Sequence, residues 1–433
     1  MSKPNPKAPK EKKFTGYQIF IIAILAFIQF TIILDFMVMS PLGPLLRPEL
    51  NMSPQQFATV VSAYAFSAGI SGLFAAGFAD RFDRKKMLLF FYAGFVIGTL
   101  LCGIAPTYHF LLGARIVAGV FGGVIGAIGF AIITDLFKLE VRGTVMGFVQ
   151  TAFAASQVLG LPIGIFLGSR LGWHSPFLMI VGLCIVAGVF IVIYMKPINA
   201  HLQIQSNRNP FQHLGKTLSQ TRYQRAFGAT ALLATGGFML MPFGADFGVH
   251  NLGLDRDHDL WVLYLVSGLF SMVTGPLIGK YSDQIGKYKL FVIGSIMSLI
   301  MVGIYCNLSI TPLWIVIVIN VVMFMGISAR MISSGAMMTA IPDPQDRGAF
   351  MSMNSSIQSI SGGFAAVIAG MIVVQHGDAP FENYDIIGYV VGGSIIVTIL
   401  LMYPLHRYIL NNQAMVSKQA KDMPKTEEPV VLE

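Results

Sequence analysis

"AAGFADRFDRKKMLLF", residues 75–90, places six charged residues among the seven from Asp80 to Lys86, between two long apolar runs. The 433-residue chain around it is 55% hydrophobic and only 12% charged, whereas a soluble domain carries about 25% charged residues. Glycine is abundant, at 45 residues. In a membrane chain that abundance fits close helix contacts. The stretch therefore reads as a short polar link between two membrane-spanning helices, and the fold follows from counting the apolar runs on either side.

A helix needs about 20 mostly apolar residues to cross a bilayer. Twelve runs qualify: 17–46, 54–79, 87–105, 108–137, 141–171, 176–195, 226–249, 260–281, 290–308, 313–340, 348–374 and 386–410. They are continuously apolar rather than alternating, which excludes a β-barrel as the spanning element. The organisation expected is a tail 1–16, a six-helix half 17–195, a linker 196–225, a second six-helix half 226–410 and a tail 411–433. The first run is too long for a signal-peptide core and is read as a retained span. With the N-terminus in the cytoplasm, 24 of the 29 Lys and Arg residues fall on the cytoplasmic side. Arg47, Arg170 and Arg256 fall in outer loops, and Arg115 and Arg330 within spans. This bias places both termini in the cytoplasm and the chain in the inner (plasma) membrane. It also explains the net charge of +8 without a nucleic-acid partner.

Three landmarks recur at nearly one offset. "DRFDRKK" at Asp80 has its counterpart "DQIGKYK" at Asp283, and "VRGTVMG" at Arg142 has "DRGAFMS" at Arg347. "PLG" at Pro41 is matched by "PFG" at Pro242. Two halves of six helices each make this a parallel repeat about an axis along the membrane normal. With these motifs the chain resembles the major facilitator superfamily, and within it the twelve-span drug/proton antiporters. The family's loop pattern is Gly, any residue, Leu, Ala, Asp, Arg, any residue, Gly, Arg, then Arg or Lys. Asp80, Arg81, Arg84 and Lys85 match it, while Ala76 and Asp83 replace its two glycines. The second copy keeps Gly279, Asp283 and Gly286. The resemblance implies an all-α major facilitator fold with a cytoplasmic latch formed by Asp80, Arg81, Arg84, Asp135, Asp283 and Arg347. In it Asp80 faces the N-terminus of span eleven, where free N–H groups favour a carboxylate, and Arg84 pairs with Asp135.

Asp35, Arg115 and Arg330 lie well inside spans, where each charge costs at least ~2.5 kcal/mol and is usually functional. Asp35 stands 11 residues before Leu46 and Arg115 seven after Tyr108, hence roughly 16 Å and 11 Å from the outer ends of their spans. Antiporters of this type carry such an acid and arginine facing one cavity, so the pair is the candidate proton-coupling group. Burial raises an acid's pKa and a neighbouring cation lowers it, which makes such an acid switchable. A purely structural pair is the alternative. Arg330 is read either as holding an anionic substrate group or as reaching toward the cytoplasm. Asn354 and Gln358 share a helix face, lining the cavity or bonding across helices. Asp246 reads as interfacial at the outer end of span seven, and is a further candidate. Gly160, Gly164 and Gly168 form a small stripe in span five, where "LGLPIG" resembles the antiporter motif except that Leu161 separates Gly160 from Pro162.

No H-E-x-x-H or P-loop pattern occurs, and no cofactor, metal or enzymatic activity is expected. Cys102, Cys184 and Cys306 sit in different apolar runs and suggest no pairing. The reading is a monomeric, gradient-driven transporter in contact with membrane lipids, working by alternating access and exporting small apolar or cationic compounds against protons. A sugar or metabolite exporter, or a proton symporter, is the nearest rival. A non-transporting sensor is a third reading, and the linker of about 30 residues is short for the soluble domain it would need.

The topology is checked by single cysteines at Asn51, Asp257 and Gln345 in a cysteine-free background. In intact cells the first two are expected to react with an impermeant thiol reagent and the third to stay unlabelled. External labelling at position 345 would overturn the orientation.

Overall fold

The computed structural model describes residues 14–78, 82–199, 202, 210–343 and 346–422. Sixteen α-helices follow one another among these residues. They are α1 (Gly16–Val38), α2 (Gly43–Glu49), α3 (Pro54–Phe78), α4 (Arg84–Gly103), α5 (Tyr108–Leu136), α6 (Leu139–Ala155), α7 (Leu161–Leu171) and α8 (Ser175–Tyr194) in the first half. There follow α9 (Pro210–Ser219), α10 (Thr221–Leu240), α11 (Gly244–His250), α12 (Asp259–Ile285), α13 (Lys287–Tyr305), α14 (Leu313–Met338), α15 (Arg347–Ile372) and α16 (Tyr384–Asp422). Among the described residues twelve stretches are long and apolar enough to cross a membrane. Extended pairing among the described residues amounts to one isolated bridge, Val374 with Glu382. Below, the basic face is the end of the bundle that carries the N-terminus.

Local sequence explains how the spans start and break. Thr15 and Gln18 form a capping box that starts α1. Asp83, standing where the family pattern has glycine, accepts a hydrogen bond from the Lys86 N–H at 2.9 Å and caps α4. Its φ of −57° needs no glycine. In the second copy Gly286 turns the chain at φ 102°, a conformation that favours glycine. The first span is not one helix. It breaks after Val38 and resumes as α2, around the "SPLGP" turn whose prolines lack the N–H a continuous helix needs. The seventh span breaks in the same way at a 3-10 turn, Met241–Phe243. The fifth contains a π turn, Ser156–Gly160, just before Pro162, closed by the Leu161 N–H on the Ser156 carbonyl. Two further differences from the sequence reading concern the polar segments: the linker carries α9, and α16 runs on past Leu410 to Asp422.

Packing within each half relies on missing side chains. A Cβ on Gly160, Gly164 or Gly168 would stand 2.5, 2.8 or 2.6 Å from Leu34, Val38 or Leu42. The glycine stripe of the fifth span is thus the groove for a ridge of every fourth residue on the first. α5 meets α3 more closely still: a Cβ on Gly123 would lie 2.3 Å from the Ala68 carbonyl oxygen. Backbone cannot yield as a side-chain tip can, and overpacking of this kind costs about 1–3 kcal/mol. Gly123→Leu is therefore expected to lower the melting temperature and the folded yield. Gly113→Ala, with nothing within 4 Å, is expected to lower neither. Equal melting of wild type and Gly123→Leu in detergent would contradict this account of the α3–α5 contact.

Candidate functional site

Asp35 sits one turn before the break in α1, and Arg115 two turns into α5. The Arg115 Nη1 donates to Asp35 Oδ2 at 2.8 Å and to the Asp35 carbonyl at 3.3 Å. Both residues are fully buried, so the open cavity expected around them is not formed in this conformation. The guanidinium also lies over the Tyr64 ring, 4.4 Å from its centre. Tyr64 approaches because Gly119 and Gly122 carry no side chains: a Cβ on Gly122 would be 2.7 Å from the Tyr64 hydroxyl. Asp35 Oδ1 and Arg115 Nε and Nη2 have no hydrogen-bond partner among the described residues. A buried ion pair that leaves these atoms unsatisfied is poorly compensated for its desolvation. The bare Oδ1 is also where a proton can be added without displacing the Arg115 contact.

A second buried pair joins the two halves on the face opposite the N-terminus. Arg47 of α2 lies 3.3 Å from Asp246 of α11 and donates to Gln375 at 2.7 Å. Its guanidinium stands 5.4 Å from the centre of the Phe381 ring. Asp246 is fully buried and Arg47 nearly so; Arg47 lies in the helix α2 rather than in an outer loop, and Asp246, at the outer end of span seven, is covered by protein. His250 Nδ1 lies 2.9 Å from the Asp246 carbonyl and 3.9 Å from its carboxylate. The Ser40 hydroxyl donates to the Met241 carbonyl beside them. The tips of the two broken spans thus meet at their repeated Pro–x–Gly turns. Arg47 was the residue that sequence reasoning passed over. The signal was present, since each copy of the turn is followed within a few residues by a charge, and the two charges are opposite in sign.

On the basic face Arg84 Nε lies 3.0 Å from Asp135 Oδ2. Asp80 and Arg81 lie outside the described residues, as does Gln345. Asp283 falls in the last turn of α12 and Arg347 opens α15, but their side chains are also outside the description. Arg142 donates to the carbonyls of Phe137 and Thr134, satisfying the end of α5. Arg222 of α10 forms an ion pair with Asp343. Asn354 accepts a hydrogen bond from Thr230 at 2.6 Å, the cross-helix option of the two left open for it. Gln358 is half-buried on the same helix. Arg330 is 4% exposed, and its Nε and Nη2 are sealed from solvent, so it does not reach out to the cytoplasm. No group of three or more metal-ligating side chains occurs among the described residues.

A major facilitator superfamily model matches residues 25–297 and, a second time, 226–419. The chain belongs to this superfamily. It is 32% identical over 278 residues to the uncharacterized MFS-type transporter YceJ of Bacillus subtilis, covering 62% of this chain and 68% of that one. Against Multidrug resistance protein 2 of the same organism the identity is 24% over 287 residues, covering 64% and 71%. Multidrug resistance protein 3 matches at 34% over 141 residues, 33% of this chain and only 28% of that protein. Among solved structures, a bacterial homologue of the lysosomal transporter Spinster superposes with a TM-score of 0.67 at 16% identity, covering 93% of this chain and 98% of that one. The nucleoside transporter NupG superposes with a TM-score of 0.69 at 15% identity, covering 89% and 98%. The chain is a multi-pass membrane transporter of the major facilitator fold rather than an enzyme.

Removing one partner of a buried ion pair costs about 3–5 kcal/mol, because the other charge is left unpaired. Arg47→Ala is therefore expected to open the contact between the broken spans. A cysteine at Phe36, which packs against Phe238 of the other half at 5.6 Å, would report it. Labelling from the face that carries Asn51 should rise in Arg47→Ala and fall back when Asp246→Asn is added. Unchanged labelling in Arg47→Ala would reduce the pair to a local contact.

Proposed function

We propose that this transporter exports small, largely apolar compounds, cations among them, from the cytoplasm in exchange for protons, both termini lying in the cytoplasm. The observation that carries the reading is the Asp35–Arg115 pair: a carboxylate fully buried in a spanning helix, held by one cation, with one oxygen free to take a proton. Protonation would cancel the charge that Arg115 holds, freeing α1 to move against α5. Glycine-lined contacts let such helices shift without repacking large side chains. The Arg47–Asp246 pair closes the side opposite the N-terminus, and the proposed latch of Asp80, Arg81, Arg84, Asp135, Asp283 and Arg347 would close the other side in turn. A small groove between α1, α5 and α6 is bordered by Gln29, Gln150, Gly126 and Gly129. The distant relatives named for multidrug resistance support export as the direction.

The test is substrate accumulation in proteoliposomes with only a pH difference imposed. Asp35→Asn keeps the shape but cannot exchange a proton. Its driven accumulation is expected to fall to that of empty vesicles, while substrate binding persists. Accumulation by Asp35→Asn at the wild-type level would place the proton site elsewhere.

A further inference from the structure

Among the described residues, the second half contains a buried cation with no counter-ion. Arg330 of α14 is 96% buried, being only 4% exposed. No ion pair or hydrogen bond reaches its guanidinium from the described residues, and its Nε and Nη2 are orphaned. The contrast with Arg115 and Arg47, each beside an aspartate, is complete. Three hydroxyls around α14 share its condition. Ser295 and Ser298 of α13 and Ser333, one turn beyond Arg330, are buried and have no partner. Serines in helices ordinarily bond back to a carbonyl three or four residues earlier, and Ser334, Ser394 and Thr398 in the same half do so. Ser295 follows Gly294, whose missing Cβ lets α13 approach the Arg330 backbone: a Cβ there would be 3.2 Å from its nitrogen. Ser298 meets α14 at Gly326, one turn before Arg330.

We propose that Arg330, with the hydroxyls of Ser295, Ser298 and Ser333, forms a binding site for an oxyanion, a carboxylate or phosphate group, in the second half of the transporter. A guanidinium offers donors only, and a serine hydroxyl can donate as well as accept, so the cluster is rich in donors and lacks both a strong acceptor and a negative charge. An oxyanion supplies both, and arginine is the side chain whose fork matches its geometry. The Arg330 Nη1 faces α10. A Cβ on Gly236 would lie 3.8 Å from Arg330 Nη1, and the neighbouring Gly237 has open space beside it. The anion is either the head of a transported compound, a free anion, or the headgroup of an acidic lipid. The first of these rests on the transporter reading, whereas binding itself does not.

The test uses the full chain in neutral maltoside micelles, followed by its tryptophan fluorescence on heating at matched ionic strength. Butyl phosphate is expected to raise the melting temperature of wild type by several degrees and to leave Arg330→Gln unmoved, with Arg330→Lys between them. Without ligand, Arg330→Gln should melt above wild type, because it removes an uncompensated buried charge. Butyltrimethylammonium should shift neither protein. Inorganic phosphate acting as well as butyl phosphate assigns the site to a free anion; a response to butyl phosphate and butyrate alone assigns it to an amphiphilic substrate. A response only in nanodiscs containing phosphatidylglycerol assigns it to a lipid headgroup. Equal shifts in wild type and Arg330→Gln, or no shift in wild type with any of these probes, would overturn the site. Loss of pH-driven accumulation in every protein, with the anion shift intact, would sink the proton-driven export reading and leave the site standing.

Discussion

Water is absent from the middle of a bilayer, so each charge placed there must be answered by the protein itself or by what it carries. The Asp35–Arg115 pair is the first such answer: two full charges, neither touched by solvent, 2.8 Å apart between helices of one half. Its energy is not mainly stabilising. Attraction between the partners is offset by the loss of hydration, and three of their polar atoms remain without partners. In the proposed function the pair supplies a position where adding one proton would change the balance of forces between α1 and α5. Other contacts of the first half centre on the pair. Gly119 and Gly122 bring Tyr64 over the guanidinium, and the glycines of the fifth span seat the ridge of α1 that runs past Asp35.

The same constraint operates at the contact between halves. The broken ends of the first and seventh spans expose backbone that a continuous helix would satisfy, and backbone of this kind is tolerated at membrane depth only where protein covers it. Here each tip covers the other, with Ser40 on the Met241 carbonyl and Arg47 beside Asp246. The breaks also explain why a charge pair can sit there. α2 is a separate helix, so Arg47 is carried by a segment that the proline turn sets apart from α1. The π turn at Ser156–Gly160 is another such place. It is pressed against Gly268 of α12, where a Cβ would lie 2.9 Å from the Val158 Cα, so this irregular turn of one half packs directly on the other.

Arg330 departs from the pattern, and the departure carries information. Sequences that fold well rarely leave a buried charge unpaired without a functional reason. The three partnerless serines beside it extend the same inconsistency over two helices. Taken together they describe a place suited to a ligand that arrives, in contrast to the two aspartate–arginine pairs, in which each charge meets its counter-ion within the chain.

Span number, fold class and the internal repeat were legible in the sequence, because hydropathy and charge bias are properties of contiguous residues. The landmarks at Asp80, Arg142 and Pro41 with their second copies exposed the two halves for the same reason. Even the helix starts at Thr15 and Asp83 are local chemistry. The spans' interruptions were only half visible: Pro41 and Pro242 were noticed as a repeat, but whether a proline kinks a helix or breaks it depends on what covers the freed carbonyls. The pairings belonged to tertiary structure alone. Asp35 and Arg115 are matched by depth and by family resemblance, while for Arg47 and Asp246, from different halves, the sequence holds only opposite charges after the two copies of one turn, which does not by itself bring them together. Nor could the sequence show that Arg330 has no acid beside it. Whether a charge is paired is settled by neighbours brought from other helices, and in a chain of twelve spans those neighbours are chosen by packing, not by order along the chain.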